Sequence, residues 1–400
     1  MNIKIPEEVK FIIDTLENNG YEAYAVGGCV RDNILGAEPK DWDICTSAMP
    51  DQTMKCFAGC HIIETGLKHG TITLMLNHKP FEITTYRIDG VYTDNRRPDK
   101  VEFVNDLKAD LSRRDFTINA IAYNPEKGLA DLFDGVNDLK NGIIKCVGDA
   151  NKRFREDALR IMRAMRFAAV LGFKIDGGTS KAMLYNKNLL HNIAAERIAA
   201  ELNKMIIGKN IREILLRHAP VITEIIPEIH AADFMNIDSV PPDVILRLAV
   251  LFCNLGEDTA RKILRRLKYD NNTVQAVTQL ILYRDADIQP HSKNIKRWLN
   301  KIGEERFRQL LEVKKAGDKS QEKLNMLDNI EFLLNEIISQ KQCFSLKDLA
   351  VKGGDLIALG IPAGSEIGAI LNQLLYMVID EQIENDKAKL LNAAEKLLWE

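Results

Sequence analysis

Residues 21–45 read YEAYAVGGCVRDNILGAEPKDWDIC, and this stretch sets the character of the first third of the chain. YEAYAV is β-rich, Gly27-Gly28 is a tight turn, and CVRDNIL is a short helix closed by Gly36. DWDIC then predicts a second strand. Further out, TITLML (71–76) and FEITTYR (81–87) flank a turn at 77–80 and predict a hairpin. IDGVYTDNRRPDK (88–100) is polar, broken by proline and without apolar periodicity, which predicts a mobile loop.

From Asn151 the period becomes helical and stays so to the C-terminus. NKRFREDALRIMRAMRFAAVLG (151–172), SKAMLYNKNLLHNI (180–193) and AERIAAELNKMIIG (195–208) predict three consecutive amphipathic helices. Breaks follow near Pro241-Pro242, Gln289-Pro290, Gly317 and Gly353-Gly354, and no segment repeats. The expectation is an α+β protein, a small head with a sheet followed by an all-helical remainder.

The 400 residues are 46% hydrophobic and 28% charged, a globular balance that excludes a disordered chain. A net charge of −3 excludes adhesion to nucleic acid through bulk charge, so any such contact must come from local basic patches. The opening MNIKIPEEVK lacks an apolar core behind a basic start, and the apolar run LLYMVI is too short to span a membrane. The expectation is a cytoplasmic protein without a membrane partner. Seven scattered cysteines read as free thiols, and Cys56, Cys60 and His61 lack the paired spacing of a zinc site.

Four constellations carry chemistry. On a strand, side chains two apart share a face, so Asp41 and Asp43 point one way while Trp42 and Ile44 point the other. Two carboxylates that close repel unless a cation lies between them. Hard divalent ions favour such oxygens, and shared aspartates can hold two ions about 3.5–4 Å apart. Glu82 in FEITTYR is a candidate third carboxylate. Upstream, Gly27-Gly28 leads into a helix N-terminus, where unhindered N–H groups suit a phosphate, and Arg31 can add a charge-assisted contact. The third constellation, Arg113-Arg114-Asp115, sits at the edge of the apolar FTINAIAY; an arginine there can clamp a phosphate or sugar while Asp115 fixes its orientation.

The fourth is Glu156-Asp157-Ala-Leu-Arg160, continuing to Arg163 and Arg166. Steps of three drift by about 60° on a helix, so the four residues from Asp157 to Arg166 sweep about half its circumference. Residues 151–170 carry six basic and two acidic side chains in a chain of net negative charge, so this segment wants an anionic partner. Asp offers only acceptors and Arg only donors. Cytosine and adenine each present an amino donor beside a ring-nitrogen acceptor, whereas uracil and guanine reverse the order. Asp157 with Arg160 could therefore accept C and A and reject U and G, at about 1–3 kcal/mol per bidentate match.

Taken together, GGCVRD, DWD, FEITTYR, SRRDFTINAIAY, DLFDG, EDALRIMRAMRF and ERIAAEL resemble a bacterial-type (class II) tRNA nucleotidyltransferase, in the CCA-adding enzyme and poly(A) polymerase family. The C-terminal DLAVKGGDLIALGIPAGSEIGAILNQLLYMVIDEQIENDKAKLL resembles the tail of these enzymes. The resemblance implies a polymerase-beta-like nucleotidyltransferase head (1–148), a helical neck that reads the base (149–210), and a helical body (211–310) and tail (311–400) that hold RNA. It implies Mg²⁺ on Asp41 and Asp43 with Glu82 as third catalytic carboxylate. Gly28, Arg31 and Arg114 would meet the triphosphate, and Asp157, Arg160, Arg163 and Arg166 would form the nucleotide pocket. The implied partners are CTP, ATP and the acceptor end and T-arm of tRNA, with ARKILRRLK and KNIKRW as candidate phosphate contacts. The implied reaction adds CCA to tRNA without a template; the alternatives are a poly(A) polymerase, a CC-only or A-only enzyme, or a non-catalytic RNA-binding protein.

Two departures stand out. DLFDG (131–135) has Asp134 where the family's hinge motif has glycine, and the region near His230 has no His-Asp dyad, which predicts no phosphohydrolase activity.

Overall fold

The computed structural model describes residues 3–90, 101–317 and 320–397. Its contacts divide the chain into two compact units: Met1–Met235 with Arg266–Tyr269, and Asn236–Arg265 with Asp270–Glu400.

The first unit runs α1 (Glu7–Asn18), β1 (Ala23–Val26), α2 (Gly28–Ile34), β2 (Asp43–Thr46), α3 (Pro50–Cys56), β3 (His61–Ile63), β4 (Thr71–Leu76), β5 (Lys79–Thr85), β6 (Arg87–Asp89) and β7 (Val101–Phe103). It continues with α4 (Leu107–Ser112), β8 (Ile121–Asn124), β9 (Gly128–Asp131), α5 (Gly135–Asn141), β10 (Ile143–Ile144), α6 (Ala150–Glu156), α7 (Leu159–Leu171), β11 (Lys174–Ile175), α8 (Gly177–Asn186), α9 (Ala195–Ile206), α10 (Ile211–Arg217) and α11 (Ala219–Ile225). Seven strands form one sheet in the order β3-β4-β5-β2-β1-β8-β9. Among the described strands of this sheet β2 and β5 are the one parallel pair, which sets Asp43 directly beside Glu82. The helix α1 forms because Val9, Ile12, Ile13 and Leu16 recur at helical spacing and are buried, with Glu7 and Glu8 at its positive N-terminal end. On the other face Tyr24, Val26, Cys45 and Ala122 pack with Tyr86 and Leu111.

The hairpin of β4 and β5 turns at Asn77 and His78, both with positive φ (49° and 62°), as a two-residue turn of the primed type requires. The expected loop is partly structured: Ile88 and Asp89 pair in β6 with β7, and 91–100 lies outside the described residues. The predicted strand DWDIC begins only at Asp43. The predicted helix over 151–172 is two helices, α6 and α7. The break has a local cause: Asp157, at φ −137° and ψ 103°, turns its Oδ1 to accept from the Leu159 N–H at 3.0 Å and so caps the start of α7. The helix expected to begin at 180 starts at Gly177, where Asp176 caps it through the Thr179 N–H, and ends as a 3₁₀ turn over Lys187–Asn192.

The second unit is helical: α12 (Val244–Phe252), α13 (Glu257–Arg266, whose last residue belongs to the first unit), α14 (Asn271–Tyr283), α15 (Ser292–Ile302), α16 (Glu304–Gly317), α17 (Gln321–Ser339), α18 (Gly353–Ala358), α19 (Ser365–Ile379) and α20 (Lys387–Leu397). Its C-terminal core is built from Leu356, Leu374, Leu375, Ile379 and Leu390. Among the described residues no helix is long and apolar enough to cross a membrane.

Candidate active site

The site grows from the end of the sheet where β2 begins. Asp41 and Asp43 are exposed while Trp42 and Ile44 between and after them are buried, so the alternation expected of a strand holds although Asp41 precedes it. Glu82 is exposed on the adjoining strand, in register with Asp43. Desolvation raises the Asp43 carboxyl above the usual carboxylate range; Glu82 and Asp41 push it the same way and Arg114 opposes them. Such carboxylates suit a hard divalent cation, which would relieve their repulsion. Among the described residues no three His, Cys, Asp or Glu side chains already converge as a metal cage. A cavity of about 880 Å³, lined by Lys4, Lys40, Lys79, Trp42 and Phe81 among others, opens beside Asp41 and touches none of the candidate nucleotide-binding arginines.

The glycine turn lies against two of those arginines, closely at Gly27 and at ordinary contact distance at Gly28. A Cβ on Gly27, which has φ +84°, would sit 3.0 Å from Arg114 Nη1, and one on Gly28 would sit 3.7 Å from Arg31 Nη2. Arg114 is held by Asp110 at 3.4 Å, and its buried Nε has no partner among the described residues. Arg31 is buried and starts a chain of bonds. Its Nη1 donates to Asn119 Oδ1 (2.6 Å), Asn119 Nδ2 donates to Asp115 Oδ1 (3.0 Å), and Arg163 donates twice to Asp115 Oδ2 (2.9 and 2.6 Å). Burial works against the Asp115 charge, but Arg163 and the Asn119 amide outweigh it and hold the carboxyl down at about 2. Arg166 donates to Glu201 on α9 at 2.5 Å.

Asp157 and Arg160 are bonded to other groups rather than to each other. Asp157 Oδ2 accepts from Arg197 on α9 at 3.2 Å, while Arg160, buried, donates to Glu156 and to the Arg113 carbonyl, each at 2.9 Å. The Asp157 carbonyl still accepts from the Arg160 N–H at 3.0 Å, but the Asp157 side chain turns to the Leu159 N–H and to Arg197. With Asp157 in extended backbone, the four residues from 157 to 166 do not sweep one continuous helix. Even so, the bond from Arg160 to Arg113 sets this turn against the RRD segment. Asn119, Arg197, Glu201 and Phe167 belong to the site although sequence reasoning gave them no role. The only signal for Arg197 and Glu201 was their spacing on α9, one turn apart and facing α7.

Three family models cover most of the chain: poly A polymerase head domain over residues 23–145, probable RNA and SrmB-binding site of polymerase A over 172–233, and tRNA nucleotidyltransferase domain 2 (putative) over 243–394. The chain is 36% identical over 398 residues to the CCA-adding enzyme of Lactobacillus delbrueckii subsp. bulgaricus, covering 97% of this chain and 98% of that one. The chain belongs to the CCA-adding enzyme family. The family relative from Ligilactobacillus salivarius is 35% identical over 416 residues, covering 99% and 98% of the two chains. The CCA-adding enzyme of Bacillus stearothermophilus, solved in complex with CTP, superposes with a TM-score of 0.81 at 31% identity, over 98% of this chain and 96% of that one. The Thermotoga maritima CCA-adding enzyme complexed with tRNA_CCA shares the fold, with a TM-score of 0.68 at 20% identity over 99% and 97%.

Proposed function

We propose that this member of the CCA-adding enzyme family adds C, C and A to the 3′ end of tRNA without a template, using CTP and ATP and releasing pyrophosphate. The observation that carries the reading is the meeting of an exposed carboxylate group (Asp41, Asp43, Glu82) with Gly28, Arg31 and Arg114 at one end of the sheet, in a chain matched end to end by CCA-adding enzymes. The tRNA 3′-oxygen attacks the α-phosphorus, a new O–P bond forms, and the bond to the bridging oxygen breaks as pyrophosphate leaves. Mg²⁺ held by Asp41 and Asp43, with Glu82 beside them, would supply positive charge at the reacting phosphate. The chain's own part is positioning and charge. Arg31 and Arg114 hold the triphosphate beside the glycine turn. Arg163 and Arg166 stand behind them, fixed by Asp115 and Glu201.

Base choice falls to Asp157 and Arg160 by hydrogen-bond complementarity. Arg160 donates to Glu156 and to the Arg153 and Arg113 carbonyls, and Asp157 accepts from the Leu159 N–H and Arg197. A carboxylate has about four lone-pair sites and a guanidinium about five N–H donors, so capacity is left for a base edge. We assign nucleotidyl transfer to a head over 1–148 and base reading to a neck over 149–210. A body over 211–310 and a tail over 311–400 hold the acceptor end and T-arm of the RNA. A groove of about 440 Å³ lined by Arg261, Arg265, Gln275, Gln279 and Tyr283 supports RNA contact in the body. A tRNA substrate supports a cytoplasmic location.

The test offers the purified protein a tRNA transcript ending before CCA, with Mg²⁺ and CTP, ATP, UTP and GTP singly and together. Two additions with CTP alone and one more with ATP, then a stop, are expected. A ladder of adenosines would mean a poly(A) polymerase, arrest after CC or addition of A alone a partial enzyme, and no addition a non-catalytic RNA-binding protein.

A further inference from the structure

Phe167, on α7, is 5% exposed and carries no polar atom, yet three of the candidate nucleotide-binding arginines gather on its ring. The guanidinium carbons of Arg166, Arg31 and Arg163 lie 3.8, 5.1 and 5.4 Å from its centroid. All three fall within the range of about 6 Å at which a cation is drawn to the negative face of an aromatic ring. Arg31 comes from α2 and the other two from α7, so the ring joins elements more than a hundred residues apart in sequence. The ring is itself held edge-on by Phe116, with centroids 5.8 Å apart and planes at 80°, and Phe116 is fully buried next to Asp115.

Three like charges so close together repel. Their acidic partners (Asp32 for Arg31, Asp115 for Arg163, Glu201 for Arg166) offset that charge, and Asn119 accepts from Arg31, but each of these contacts consumes N–H donors. An aromatic ring stabilises a guanidinium through the π-face and uses none of those donors. A fourth carboxylate in the same place would compete with phosphate for them.

We propose that Phe167 is a positioning residue for nucleotide binding: its ring gathers Arg31, Arg163 and Arg166 before the triphosphate arrives and leaves their remaining N–H groups free to meet it. The proposal rests on the nucleotidyl-transfer reading given above. Its test uses the full chain as Phe167→Leu, Phe167→Met and Phe167→Tyr, with equilibrium binding of CTP and ATP, the split between kcat and KM in CCA addition, and Tm. Leu and Met keep apolar bulk without a ring; Tyr keeps the ring.

Leu and Met are expected to weaken CTP and ATP binding alike by about 5- to 30-fold, which at 1.4 kcal/mol per tenfold corresponds to about 1–2 kcal/mol. KM follows while kcat changes by less, preference for C and A over U and G is unchanged, and Tyr stays within about twofold of the parent. Wild-type affinity in Leu or Met, or a loss in Tyr equal to theirs and tracking Tm, would overturn it. Met, which adapts to irregular space, decides the matter if Leu does not fold. If the parent binds CTP and ATP but adds nothing to tRNA, the transfer reading falls while this binding series still stands or falls by itself.

Discussion

His218 sits between α10 and α11, 1% exposed, and neither ring nitrogen has a hydrogen-bond partner among the described residues. Burial, helped by the neighbouring Arg217 charge, lowers its pKa from 6.5 to about 4. The unfolded chain therefore binds a proton between these values that the folded chain refuses. Folded stability from this residue is fully present above about pH 6.5, is lost as the pH falls from there towards 4, and falls no further below that. The two values give a loss of about 2 kcal/mol at pH 5, under about 0.1 kcal/mol at pH 7.5, and about 3 kcal/mol at the acid limit.

The replacement His218→Leu removes the titration and also the orphaned polar atoms, whose burial costs about 1–3 kcal/mol. Hydrogen exchange of peptides spanning 211–225, measured against urea at pH 7.5 and pH 5, reads this element directly. The parent is expected to lose about 2 kcal/mol more than the variant between the two pH values. Parallel pH dependences in the two chains would refute the reasoning and mean that His218 is protonated, or bound to a polar partner, inside the fold.

The other predictions concern the site and the turn at 131–135. Asp43→Asn keeps the fold, because the side chain is exposed, and lowers CCA addition by on the order of 10²–10³, checked by single-turnover extension at fixed Mg²⁺. Gly135→Ala is expected to destabilise the protein by at least about 2 kcal/mol, since a Cβ there meets the Thr117 carbonyl oxygen at 2.2 Å; urea unfolding checks it. The preceding residue behaves oppositely. Asp134 holds φ 61°, so Asp134→Gly removes left-handed strain of about 1 kcal/mol and raises Tm by about 2–4 °C, despite losing the 3.2 Å bond to Asn137.

Much of the site was legible because its signals are local. A glycine turn after a strand, carboxylates two residues apart and arginines three apart depend on backbone geometry over a few residues. The register that sets Glu82 beside Asp43 was not legible, because β2 and β5 are separated by a helix and a hairpin and could have paired otherwise. The helix break at 157 was missed for a different reason. Apolar periodicity runs through it unbroken, and only the competition of one aspartate side chain for a backbone N–H ends the helix.

By itself the sequence determined a head built on a sheet, a helical remainder, a pair of outward carboxylates and a belt of arginines, since each follows from period and composition. Only the tertiary structure decided which partner each charge has. Asn119 stands 88 residues from Arg31, Asp115 stands 48 from Arg163, and Glu201 stands 35 from Arg166. Such pairs cannot be read from spacing. A buried guanidinium takes whichever acceptor or ring the packing of α2, α7 and α9 brings within reach, and that packing is driven by apolar burial, which carries no information about charge.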